Sequence, residues 1–261
     1  MNLNLIYRMK SKEFLIEEGL GELFKFNKID KDQDKVFDSV SGKLEEPFPI
    51  QYDDLARIYR LIRQRKPFTV LEFGIGFSTS VIAFALLKNK REWDALVHKP
   101  KVRNRHMFKL FSVDTSEKWI NHTRELLQSD VKDIVEFTHS EVEIGTFNGQ
   151  ICHYYSKLPD IVPDFIYLDG PHPKEVKGNI RGLSFQCDER TVMSADLLAM
   201  EPMFLPGTFI LVDGRTNNVR FLQNNFKRDY DCNWDREGDI STLELKEEKL
   251  GLYNLHGYEI F

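Results

Sequence analysis

Residues 68–80 read FTVLEFGIGFSTS and run straight into the apolar stretch Val81–Leu87. Phe68–Phe73 is a short, nearly continuous apolar run, the pattern of a strand covered on both faces. Thr79–Lys88 has the length and composition of a helix. Between them stand Gly74 and Gly76, which let the chain turn tightly and let a ligand approach the backbone. Ser78 or Thr79 is placed to cap the new helix, whose free N–H groups would face that ligand. Glu72 puts an acid at the end of the strand. The dinucleotide fingerprint would want a third glycine where this chain has Thr79, which counts against a nicotinamide cofactor.

Outward from this turn the same cycle repeats. Further strands are expected at Phe108–Val113, Ile134–Thr138, Phe165–Leu168 and Phe209–Val212, with helices at Ser116–Gln128, Ser194–Leu205 and Asn217–Arg228 between or after them. Upstream, Leu55, Ile58, Tyr59 and Ile62 mark one face of a helix ending in the basic RQRK. Strands alternating with helices predict an α/β fold with a parallel sheet covered on both faces. The tail differs: Tyr230–Trp234, the turn-like REGD and Ile240–Leu245 read as a hairpin. Residues 1–47 read as an N-terminal helical extension, with Phe14, Leu15, Leu20, Leu23 and Phe24 at helical spacing and a charged connector, KIDKDQDK (28–35). Residues 48–261 form the α/β domain. The aromatic-rich extension (Phe14, Phe24, Phe26, Phe37) is a candidate cover for a partner subunit, as in a homodimer, or for the acceptor site.

Composition narrows the function. Lys plus Arg number 36 and Asp plus Glu 41, a net charge of −5. That balance argues against a dedicated nucleic-acid binder, and no stretch is long and apolar enough to span a membrane. A 41% hydrophobic content excludes a disordered chain. No secretory signal is visible, and Cys152, Cys187 and Cys232 form no C-x-x-C pair. Buried thiols in a reducing, cytoplasmic setting are the expectation.

In an open parallel sheet, ligands bind at the carboxyl ends of the strands, where strand order reverses. The second strand ends in Ser112-Val-Asp114, and a carboxylate there suits the two hydroxyls of a ribose. It follows Gly74 at about twice the usual separation of roughly 20 residues. The basic segment Asn89–His106 fills the excess and should lie on the opposite end of the sheet. The fourth and fifth strands end in Asp169 and Asp213. Acids ending apolar strands either do chemistry, cap the next turn, or pair with Arg215. His172 is a candidate general base, with an ordinary pKa near 6.5. Lys174, Lys177, Asn179, Arg181 and Arg215 would give the mouth a cationic rim able to select an anionic acceptor.

The motifs EFGIGFST, VDTS, FIYLDGPH and LPGTFILVD, in that order and at those strand ends, resemble class I S-adenosylmethionine-dependent methyltransferases from about Pro47 to Leu245. The resemblance implies a Rossmann-like doubly wound, mostly parallel seven-stranded sheet whose C-terminal hairpin contributes an antiparallel strand. It further implies that Glu72, Gly74, Gly76, Ser78 and Thr79 hold the methionine end of the cofactor, that Asp114 holds the ribose, and that Ser140 and Glu141 lie near the adenine. Asp169 would sit beside the sulfonium. Within the family, Asp169 and Asp213 resemble the acids with which catechol-type O-methyltransferases hold Mg²⁺ to acidify a substrate hydroxyl. Gly214 departs from that pattern, since a third ligand is expected there. DGPH, where many amino-methylating relatives carry an NPPY-like signature, favours oxygen as the acceptor atom. The expected activity is methylation of a small-molecule hydroxyl. Competing readings are a nicotinamide-dependent oxidoreductase and a non-catalytic scaffold of the same fold.

Overall fold

A computed structural model of the chain describes residues 10–26, 50–187 and 189–261. The connector KIDKDQDK, Phe37, Pro47 and the boundary between residues 47 and 48 lie outside the described residues. Helix α1 (Tyr52–Arg65) opens with Asp53 and Asp54 and ends with Arg63 and Arg65, charges that complement the helix dipole. It stops at Lys66, which turns left-handed (φ 48°) just before Pro67. Next in the chain are β1 (Thr69–Phe73), α2 (Phe77–Asp94), β2 (Lys109–Asp114), α3 (Glu117–Leu126) and β3 (Val135–His139). A separate hairpin, β4 (Val142–Phe147) and β5 (Gln150–Tyr155), intervenes before β6 (Phe165–Leu168). The chain then forms α4 (Asp196–Met200), β7 (Phe209–Asp213), α5 (Thr216–Asn225), β8 (Tyr230–Asp235) and β9 (Ile240–Leu245).

The main sheet has seven strands in the order β3-β2-β1-β6-β7-β9-β8. β1, β2, β3, β6 and β7 are parallel, and β9 runs antiparallel to both its neighbours. Successive residues of each buried strand face opposite layers. Val70, Leu110, Phe165 and Leu211 pack under α1, α2 and Leu15, Leu20, Leu23 and Phe24 of the N-terminal segment. Leu71, Phe73, Ile166, Leu168 and Val212 pack instead on α4, α5 and the β4–β5 hairpin. The fold class is therefore α/β, doubly wound and mostly parallel, as expected.

Three local expectations change. The β4–β5 hairpin has no counterpart among the expected strands, although its Asn148-Gly149 corner (φ 49° and 75°) is a strong two-residue hairpin signal. The helix expected over Ser194–Leu205 is only Asp196–Met200, followed by a 3-10 turn at Glu201–Met203. Pro202 has no N–H with which to continue an α-helix. Of the three thiols, all free, only Cys152 is buried. The basic segment lies at the amino ends of the strands, where Asn104 and His106 bond Thr69 at the start of β1 and Arg105 pairs with Asp160. Among the described residues no helix is long and apolar enough to cross a membrane.

Candidate active site

Strand order reverses at β1, with β2 and β3 on one side and β6 and β7 on the other. The carboxyl ends of β1 and β6 part there, and a cleft of about 630 Å³ opens above them. Two helices wall it with stripes spaced i, i+3, i+4, i+7. α1 and the residue before it give Gln51, Asp54, Leu55 and Ile58; α3 gives Trp119, His122, Thr123 and Leu126. Gly74, Ile75, Gly76 and Ser78 form the floor, together with Asp114, Tyr167, Asp169 and Asp213.

The floor is tied by backbone bonds. Gly74 N–H reaches Val113 O at 3.0 Å, and Asp169 N–H reaches Phe73 O at 3.0 Å. Gly74 sits at φ 94°, and a Cβ there would lie 3.1 Å from the backbone nitrogen of Gly170. Asp114 accepts Ile75 N–H (3.0 Å) on one oxygen and Ser116 N–H (2.7 Å) on the other. Burial still lifts its pKa to about 6. Thr115 N–H bears on it as well, so of the roughly four lone-pair directions of a carboxylate at least one remains for a ligand.

Glu72 has a different task from the one its position suggests. It is fully buried and accepts hydroxyl bonds from Ser78 (2.6 Å), Thr79 (2.7 Å) and Ser112 (2.6 Å). Burial, opposed by those hydroxyls, pushes its pKa up to about 7. The Thr79 hydroxyl also accepts Gly76 N–H at 3.2 Å. Glu72 and Thr79 therefore lock the turn from below, and neither lines the cleft; Gly76 and Ser78 do. Ser140 and Glu141 are also outside it. Ser140 is buried and accepts Lys157 N–H (2.8 Å), while Glu141 is exposed and pairs with Lys177 (2.6 Å). Ser140 nonetheless follows β3 at the carboxyl edge of the sheet, its N–H donating to Asp114 O at 2.9 Å.

Asp169 and Asp213 are brought together. The Tyr167 hydroxyl donates to Asp213 Oδ2 at 2.8 Å and lies 3.4 Å from Asp169 Oδ2. An Arg215 Nη stands 3.5 Å from Asp169 Oδ1, and the same guanidinium donates to the backbone oxygens of Asp169 and Pro171. Desolvation raises both carboxyls, Asp213 to about 6; Arg215 opposes the rise at Asp169. Asp54, paired with Arg57 at 2.6 Å, is likewise lifted to about 6, by burial first and then by Asp213. Behind Arg215 the fully buried His153 ring is brought down to about 3 by burial and stays neutral.

This donor set does not fit the expected divalent cation at Asp169 and Asp213. Gly214 brings no third side chain, a guanidinium already stands against Asp169, and Tyr167 occupies an oxygen of Asp213. Among the described residues no three His, Cys, Asp or Glu side chains are arranged to hold a metal.

His172 lines the cleft, and its Nδ1 accepts Lys174 N–H at 3.2 Å. In a neutral ring so bonded the proton sits on Nε2, so the lone pair a base would use is already taken. Of the cationic rim, Lys174 and Arg215 line the cleft, joined by Arg190, whereas Lys177 and Arg181 do not. Lys177→Ala and Arg181→Ala are accordingly expected to change ligand affinity by less than about twofold in calorimetric titration, the usual result for surface changes.

Sequence reasoning missed Tyr167, Asp54 and the α3 stripe. The α3 signal was present, because residues 119, 122, 123 and 126 form one helical face immediately after Asp114. No family model matches the chain, and no curated protein matches it. Among solved structures it is similar to the O-methyltransferase TomG from Streptomyces achromogenes in complex with SAM, at 13% identity over 76% of this chain and 82% of that one, with a TM-score of 0.43. It is similar to an SAH-bound methyltransferase of Podospora anserina at 14% identity over 89% and 88%, with a TM-score of 0.46. An O-methyltransferase from Bacillus cereus in complex with SAH matches at 15% identity over 75% and 82%, with a TM-score of 0.40.

Proposed function

We propose that the chain is an S-adenosylmethionine-dependent methyltransferase acting on a hydroxyl of a small molecule. The observation that carries this reading is the convergence on one cleft of the Gly74–Gly76 turn, Asp114 and Asp169, at the point where strand order reverses. The site suits the cofactor. Asp114 has acceptor capacity left for ribose hydroxyls, and a Cβ added at Gly76 would meet nothing within 4 Å, so the turn is open to a ligand. The first turn of α2 brings N–H groups suited to a carboxylate. The cofactor supplies an electrophilic methyl group on sulfur.

The chain's own residues do the rest. Trp119 and His122, ring against ring at 5.7 Å, give the cofactor half an aromatic wall. Asp169 faces the methyl-transfer position and is the proton acceptor for the substrate hydroxyl. Its side chain is about half exposed to the cleft, open to a substrate hydroxyl, and the Tyr167 hydroxyl lies 3.4 Å from its Oδ2. Arg215 and the Tyr167 hydroxyl hold its orientation. His172, with its Nδ1 engaged, is assigned to the wall and not to the proton transfer. A cleft of about 630 Å³ is of small-molecule size.

Calorimetric titration with S-adenosylhomocysteine tests the reading. Micromolar binding is expected, weakened about tenfold or more by Asp114→Asn, since a hydrogen bond to a charged group is worth about 1.5–3 kcal/mol. Thermal unfolding of the variant controls for damage to the turn that Asp114 also holds. Binding of NAD in place of S-adenosylhomocysteine would replace this reading with the oxidoreductase, and silence toward both would leave a scaffold.

A further inference from the structure

The neighbouring strands β6 and β7 end in register, Leu168 beside Val212, so Asp169 and Asp213 leave the sheet side by side. Two carboxylates at such a junction repel and need a positive partner. In this chain one is built in. Arg215 lies two residues beyond Asp213, its side chain 16% exposed, with one Nη 3.5 Å from Asp169 Oδ1. The guanidinium also donates to Asp169 O and, at 3.1 Å, to Pro171 O, so its position is fixed by backbone on both sides of Gly170. The Tyr167 hydroxyl supplies the remaining contact, bonded to Asp213 and within reach of Asp169. On the adjoining wall Arg57 pairs with Asp54 and its charge also reaches Asp213, whereas the cation against Asp169 is Arg215.

We propose that Arg215 is the resident cation of this carboxylate pair, a positioning residue that does the electrostatic orienting a divalent metal would otherwise do, so that the cleft takes its acceptor without a bound metal. What it positions, Asp169 as proton acceptor, rests on the methyltransferase reading; its exclusion of a second cation does not. Three features of the chain act together. Gly214 (φ 55°) leaves the place of a third ligand without a side chain. A guanidinium cannot lose its proton in a protein, so its charge does not give way to an incoming ion. A planar fork bonded to two backbone carbonyls is also held more rigidly than a hydrated ion sharing water ligands.

The probe is Mn²⁺, followed by electron paramagnetic resonance and calorimetry on the full chain, with S-adenosylhomocysteine titrated into the same samples. The wild type is expected to bind no Mn²⁺ up to about 1 mM and to keep the same S-adenosylhomocysteine affinity with or without Mg²⁺. Arg215→Ala is expected to bind Mn²⁺ at least tenfold more tightly than the wild type, because Asp169 is then without the cation that stands against it. One Mn²⁺ bound per wild-type chain and lost in Asp213→Asn overturns the inference. So does an Arg215→Ala protein that folds and binds Mn²⁺ no better than the wild type. If Arg215→Ala does not fold, the wild-type and Asp213→Asn titrations decide alone. A wild type that is silent to Mn²⁺ but binds no S-adenosylhomocysteine supports the resident cation and removes the methyltransferase reading, so the two failures are told apart.

Discussion

Gly170→Ala is expected to lower the stability of the protein by about 3 kcal/mol and to cost at least tenfold in S-adenosylhomocysteine affinity. The cause is geometric. A Cβ at residue 170 would lie 2.7 Å from Gly74 N, 2.9 Å from Gly74 Cα and 2.9 Å from the carbonyl carbon of Phe73. All three are backbone atoms, so no side chain can swing aside. Relief requires the ends of β1 and β6 to separate, and those ends carry Gly74 on one side and Asp169 on the other. At roughly 2–4 °C per kcal/mol, the melting temperature should fall by about 6–12 °C. Gly76→Ala is the contrasting case. Its Cβ would meet nothing within 4 Å and its backbone is extended, yet the residue lines the cleft. It should melt within about 2 °C of the wild type and still bind the ligand more weakly. Calorimetry of both variants, thermal and by titration, separates the two roles. An unchanged melting temperature for Gly170→Ala would mean that the close approach of the two turns is not kept in solution.

That pair of glycines also shows which features are legible in the sequence. Apolar runs of four to six residues between turn signals place the five parallel strands, and the turn-like REGD places the closing hairpin, with β6 and β9 given to the residue. Buried parallel strands are legible because both their faces are apolar. The residues just past each strand end then bring Gly74, Asp114, Asp169 and Asp213 to one edge, which is where they stand. The β4–β5 hairpin escapes because its strands are only partly buried, as in the mixed pattern of Gln150–Tyr155. With no consistent apolar face, the turn residues Asn148-Gly149 are its only clear mark.

The site is less legible than the fold, for a physical reason. Spacing says which residues share an edge but not which of them face the ligand. Glu72 opens the motif EFGIG at the strand end, yet three hydroxyls from two elements draw it under the turn. Asp54 reaches the acids of β6 and β7 from a helix more than a hundred residues earlier. Tyr167 lies inside an apolar strand, where a tyrosine reads as core, and only its hydroxyl meets the cleft. Ser140 and Glu141 owe their expected role to their place after β3, and spacing does not say that the first side chain turns to Lys157 N–H and the second to Lys177.

Glu72→Gln should flatten the pH dependence of stability more than any other single change in this site. The ordinary value for Glu72 is 4.5, and burial raises it to about 7 in the folded chain. Between those values the folded state keeps a proton that the unfolded state has released. Stability therefore falls as pH rises through that window, and the full cost is present above about pH 7. The cost is on the order of 3 kcal/mol for a group with no exposure. Glutamine keeps the shape and cannot ionise, and the hydroxyls of Ser78, Thr79 and Ser112 are free to rotate toward its oxygen or accept from its amide. Asp114 and Asp196 are raised in the same sense, to about 6 and about 7, but they titrate in both proteins and cancel in the difference. The melting temperature of Glu72→Gln, relative to wild type, should rise by roughly 6–12 °C between pH 4.5 and 8 at constant ionic strength. Parallel curves would place the Glu72 carboxyl in contact with water and remove it from beneath the Gly74–Gly76 turn. A difference that grows with pH would instead establish that the turn rests on a carboxyl held half-protonated near neutral pH, so that the first turn of α2 is anchored more strongly in mild acid than in base.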